Sequence, residues 1–107
     1  MEAFIVIDNM VLGRGVFGIF STAEKAQTYK DEFEARTAIK CEVRQISIVG
    51  PCASPNAVLA ASGYDQIHDW HIFEGLYGEM PLARDAVGAK GLVVEFVIDA
   101  PEKKQIR

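Results

Sequence analysis

The sequence predicts an α+β domain: two β-β-α-β halves forming one mixed or antiparallel sheet of about six strands, with two helices on one face. Three observations predict it. Short apolar runs punctuated by Gly and Pro alternate with two segments of helical periodicity. The first of those segments opens on a strong capping signal. The order of elements in residues 1–52 then recurs in residues 53–101. At 107 residues, 50% of them hydrophobic, the chain fits a single domain with a real core.

The first strand is expected over Ala3 to Asp8, apolar at consecutive positions and so covered on both faces. Asn9 to Gly15 reads as a loop, and Val16 to Phe20 as the second strand. Ser21-Thr22-Ala23-Glu24 reads as a capping box in which the Ser21 hydroxyl accepts an N–H three residues on and Glu24 reaches back. A helix follows to about Arg36, with Ala23, Ala26, Tyr29 and Phe33 as its buried stripe. Glu24, Lys25, Thr28, Asp31, Glu32 and Glu34 make the wet face, and Glu32 and Arg36 stand at i,i+4 spacing. A third strand spans Glu42 to Val49; Gly50-Pro51 stops it, and Ala53-Ser54-Pro55-Asn56 connects onward.

In the second half Ala57 to Ala61 is a strand, Tyr64 to Asp69 a turn or hairpin loop, and Trp70 to Tyr77 a strand. A short helix runs from Glu79 to Val87, with Pro81 in its first turn and Met80, Ala83 and Val87 facing the core. Gly88 suits the position just past its end. Leu92 to Asp99 is the last strand, Ala100-Pro101 ends it, and residues 102–107 form a polar tail.

The halves align in detail. Gly18-Ile19-Phe20-Ser21 with Ala26 matches Gly75-Leu76-Tyr77-Gly78 with Ala83 at an offset of 57. Ile46 to Pro51 matches Phe96 to Pro101 at an offset of 50. A true duplication would relate the halves by a pseudo-twofold axis.

Leu92, Val94, Phe96 and Ile98 share one face of the last strand, while Val93 and Val97 flank Glu95 on the other. In the second strand Val16 and Phe20 should face one way, Phe17 and Ile19 the other. Two helices cover one face of such a sheet. The other must be covered by the sheet curling on itself or by a second copy, and a homodimer through that apolar face is the favoured expectation.

Composition excludes several function classes. The net charge is −4, and the one run of adjacent cations is Lys103-Lys104, a solvated tail rather than a nucleic-acid contact. No apolar run approaches the roughly 18 residues of a membrane helix, and the N-terminus lacks a basic leader, so a cytoplasmic protein is expected. Cys41 and Cys52 have neither redox nor zinc spacing and should be free thiols. Gly13-Arg14-Gly15 is no phosphate loop, and no cofactor is expected.

Chemistry is concentrated between Tyr64 and His71, which hold both histidines and the tryptophan. Tyr64, Asp65, His68, Asp69, Trp70 and His71 are the candidate ligand- or partner-binding residues, with none assigned as catalytic or as metal ligands. Aromatic rings beside acidic groups suit a planar or cationic ligand. On a helix His68 and His71 would share one face and could chelate a metal, on a strand they would face opposite ways, and a turn at His68 with a strand start at His71 does not by itself bring them together.

The stretches Gly15 to Ala26 and Ala60 to His71, the second continuing into Gly75-Leu76-Tyr77-Gly78, resemble elements of small bacterial proteins carried on phages and on mobile integron gene cassettes. That resemblance implies a compact α+β protein, often an oligomer, and supplies no catalytic residues. The function expected is a non-enzymatic, homodimeric binding module whose site near Tyr64–His71 takes a small ligand or a protein partner. The alternative is a small enzyme using His68 or His71 with Asp65 or Asp69 for acid–base or metal-assisted chemistry.

Overall fold

The computed structural model describes residues 1–9, 15–52, 54 and 56–107; the loop expected over Asn9–Gly15 and the connector at Ala53–Asn56 fall partly outside them. The elements are β1 (Glu2–Asp8), β2 (Val16–Phe20), α1 (Ala23–Thr37), β3 (Cys41–Val49), β4 (Ala57–Asp65), β5 (Trp70–Tyr77), α2 (Met80–Val87), β6 (Leu92–Val97) and β7 (Ala100–Ile106). The α+β class stands, but the mixed sheet has seven strands, in the order β2-β1-β3-β5-β4-β6-β7. Each half places its strands alike, β2-β1-β3 and β5-β4-β6.

The sheet curls until its inner face closes on itself. Ile5, Ile19, Ile48, Val58, Leu76 and Phe96 (one from each of six strands) meet in a single buried cluster. Of the two covers weighed above for the apolar face, the curled sheet itself therefore supplies one within the chain. The physical reason is strand twist: a long twisted sheet curls and buries its own concave face.

Two seams join the halves. At the first, β3 and β5 run parallel, pairing Ile48 with Leu76 and Val49 with Tyr77. At the second, the Asp99 N–H donates to the Ile19 carbonyl at 2.9 Å, bringing the end of β6 to β2. By the offsets of 50 and 57, Val49 aligns with Asp99 and Leu76 with Ile19, so the seams fall at matching places.

The helices cover the outer face. Ala26 of α1, with Tyr29 and Phe33, packs on Val6 and Phe20. Ala83 of α2, with Met80 and Val87, packs on Leu59, Ala61 and Val93. Ala23 is exposed and lies outside the stripe drawn for it. Neither helix, among the described residues, is long and apolar enough to cross a membrane.

Four other expectations need correction. The polar tail is a strand: β7 pairs antiparallel with β6 alone, so most of its side chains stay exposed and leave no apolar alternation to read. β4 extends to Asp65, taking Tyr64 and Asp65 out of the loop. In β2 it is Val16 and Ile19 that face inward, with Phe17 and Phe20 outward, because the β1–β2 register shifts between Val6 and Ile7 and inserts one residue. The helix N-cap is Thr22, whose hydroxyl accepts the Lys25 N–H at 3.2 Å, not Ser21.

Helix α1 also uses its charges differently from the spacing. The i,i+4 ion pair is Lys30–Glu34 at 3.2 Å, while the Arg36 guanidinium lies over the Phe33 ring. Glu34 leaves the wet face to accept the Cys41 N–H at 2.7 Å, anchoring the start of β3. That bond, then Lys30, holds the Glu34 carboxyl below its ordinary range, while burial and then Glu34 push the Cys41 thiol up. Both cysteines are free thiols, as expected.

Candidate functional site

The β4–β5 hairpin is built by its own polar side chains. The Asp65 carboxylate accepts the Ile67 N–H at 3.0 Å and the His68 N–H at 3.4 Å, an Asx turn. Its other oxygen lies 2.7 Å from His68 Nδ1. Those contacts, His68 first, hold the Asp65 carboxyl below its ordinary range. Asp69 takes φ 56°, a left-handed conformation Asp tolerates better than most residues, and turns the chain into β5. The Tyr64 hydroxyl donates to Asp69 Oδ1 at 2.5 Å, and that bond, reinforced by burial, raises the phenol's pKa.

Register divides the six candidate residues between two faces. Ser62 pairs with Phe73, which packs into the inner cluster. Tyr64 pairs with His71 two positions further along, so these rings continue the inner face; their centroids are 5.4 Å apart. Asp65 pairs with Trp70 one position beyond, on the outer face, where His68 stacks on Trp70 at 4.7 Å and 10°. His68 and His71 are thus on opposite sides of the hairpin. His71 Nε2 is 3.1 Å from the Lys90 carbonyl oxygen. Among the described residues, no group of three or more His, Cys, Asp or Glu side chains is placed to hold a metal ion.

Tyr64 and His71 do not line the cavity of about 330 Å³ into which the inner face opens, which begins at Ser62, two residues before Tyr64 on β4. Val16 of β2, Ala60 and Ser62 of β4, and Leu92, Val94 and Phe96 of β6 form its walls. Gly15, just before β2, and Lys104 and Ile106 of β7 complete them: the last two pair with Phe96 and Val94, so register continues the inner face of β6 onto β7. The two seams differ: β3 and β5 pair directly, whereas β6 turns into β7 after Asp99 (φ 65°) and meets β2 through the Asp99–Ile19 bond. A shallower depression lined by Tyr64, His71 and Lys90 adjoins the same end of the sheet.

Sequence reasoning reached Tyr64 and His71 and the shared face of Leu92, Val94 and Phe96. It missed Lys104 and Ile106, which it placed in a tail. The available signal was the two-residue spacing of Lys104 and Ile106, which continues the inward alternation once a turn is placed at Asp99-Ala100.

Comparison of the chain with protein-family models, curated proteins and solved structures finds no match.

Proposed function

We propose that this chain is a non-enzymatic binding module that takes a small, largely apolar molecule in the cavity between β2, β4, β6 and β7, with Tyr64 two residues beyond its Ser62 wall on β4. One observation carries the reading: a cavity of about 330 Å³ walled mainly by aliphatic and aromatic side chains on rigid strands. That volume is at the small end of the roughly 300–1,000 Å³ of ligand sites, and an apolar wall with few polar groups is their usual make-up. Acid–base chemistry has less support. His68 and His71 face opposite sides, and the Asp65 and Asp69 carboxylates are engaged in shaping the turn.

Titration of isotopically labelled protein with 1-octanol, followed by amide NMR, tests the reading. Shifts should gather at Val16, Ala60, Leu92 and Ile106 and reach Tyr64 and His71. An Ala60→Phe variant, which fills the cavity, should abolish them. Shifts confined to residues 66–69, or equal binding by the filled variant, would overturn the assignment.

A further inference from the structure

Lys104 is the one charged side chain in the wall of a mainly apolar cavity. Its position is set by register: it pairs with Phe96, whose ring is buried in the inner cluster. Four other cations are paired, Lys25 to Asp99, Lys30 to Glu34, Arg44 to Glu42 and Arg107 to Glu95, whereas Lys40, Lys90, Lys103, Arg36 and Arg84, like Lys104, are in no ion pair among the described residues. Lys104 makes no ion pair among the described residues, in a protein whose net charge is −4. An ammonium on a flexible stem keeps its head in water while the stem lies along the apolar wall. That arrangement presents a cation at the rim of a greasy pocket.

Neighbouring carboxylates bear on this position. Glu102 lies two residues earlier on β7 and lines an adjoining depression together with Lys104 and Arg36, so it competes for the ammonium. The Asp8 carboxylate, at the end of β1, accepts the N–H of Gly15, a residue of the cavity wall, at 2.8 Å.

Resting on the binding reading above, we infer that the ligand is an amphipathic carboxylic acid: a short aliphatic body between β2 and β6, with its carboxylate on the Lys104 ammonium. Burial of the body supplies affinity in proportion to apolar area, and the ion pair selects the acid over its neutral analogues.

Octanoate and 1-octanol share one aliphatic body and differ in the head group, so they separate the two parts of the inference. Affinities for both would be measured at pH 7 by NMR titration of the wild type, Lys104→Met and Glu102→Gln. Met keeps an unbranched apolar stem and removes the charge. A charge-assisted hydrogen bond is worth roughly tenfold in affinity, so octanoate should bind the wild type about that much more tightly than octanol. The preference, read as the ratio of octanoate to octanol affinity within each protein, should vanish in K104M and persist or grow in E102Q. Equal binding of the two compounds by the wild type, or an acid preference that survives in K104M, would overturn the carboxylate assignment and leave the cavity a ligand site. Failure of both compounds to bind the wild type would overturn the binding reading itself.

Discussion

Ser21 and Asp99, 78 residues apart, are joined by two hydrogen bonds: the Ser21 N–H donates to one carboxylate oxygen at 2.9 Å and its hydroxyl to the other at 2.7 Å. Lys25 adds an ion pair at 3.2 Å. The cluster sits where β6 meets β2, beside the Asp99 N–H bond to Ile19, and ties the second seam at the start of α1. The residue read as a helix cap instead holds the curled sheet together.

Acid should loosen this seam. Burial pushes the Asp99 carboxyl up, but the Ser21 hydroxyl and amide and then Lys25 outweigh it and hold the group below its ordinary value of 3.8. A depressed carboxyl stabilises the fold fully above the unfolded-state value and loses that contribution as pH falls through the folded-state value. The urea midpoint should therefore fall below about pH 4. Asn tolerates the left-handed backbone at position 99 and keeps one oxygen acceptor, so Asp99→Asn removes mainly the charge. Glu34 and Asp65 are depressed too, so the informative quantity is the difference between wild type and variant. That difference should shrink on acidification; a constant gap from pH 7 to pH 3 would exclude Asp99 as a source of the acid limb.

Thr22 and Ser21 should act on stability by separate routes. Thr22→Ala removes the side-chain acceptor for the Lys25 N–H and should cost about 1 kcal/mol. Ser21→Ala acts through Asp99 and should cost much less once Asp99 is already Asn. A double-mutant cycle by urea denaturation checks this: coupling is expected between Ser21 and Asp99, and near-additivity between Thr22 and Asp99. Additive Ser21 and Asp99 effects would contradict the linkage.

Gly78 marks the first seam. A Cβ there would lie 2.3 Å from the Pro51 carbonyl oxygen, and the Gly78 N–H donates to the Val49 carbonyl at 2.9 Å. Since the clash is with backbone, Gly78→Ala should destabilise by about 1–3 kcal/mol and lower the thermal midpoint. An unchanged midpoint would mean that the β3–β5 seam is not tightly packed.

Much of the architecture was legible because it depends on local periodicity. Ala3 to Asp8, Val16 to Phe20 and Trp70 to Tyr77 read as strands, and Met80, Ala83 and Val87 as an inward helix stripe. The offsets of 57 and 50 foreshadowed the matched strand order of the halves. The site was legible only in part. Tyr64 and His71 share a face because they pair across strands, while Asp65 and Trp70 fall on the other side by one step of register. Such a division is invisible until it is known how far β4 extends.

By itself, then, the sequence determined which segments become strands and helices, where α2 stops, and that both sheet faces must be covered. Tertiary structure decided what covers them. Strand twist curled the sheet over its own concave face, a register shift beside Val6 reversed Val16 and Ile19 relative to simple alternation, and pairing with β6 made a strand of a polar segment. Local patterns record what each residue prefers, whereas curl, register and edge pairing arise from contacts between residues far apart in the chain. The cavity beside Lys104 is a product of those contacts.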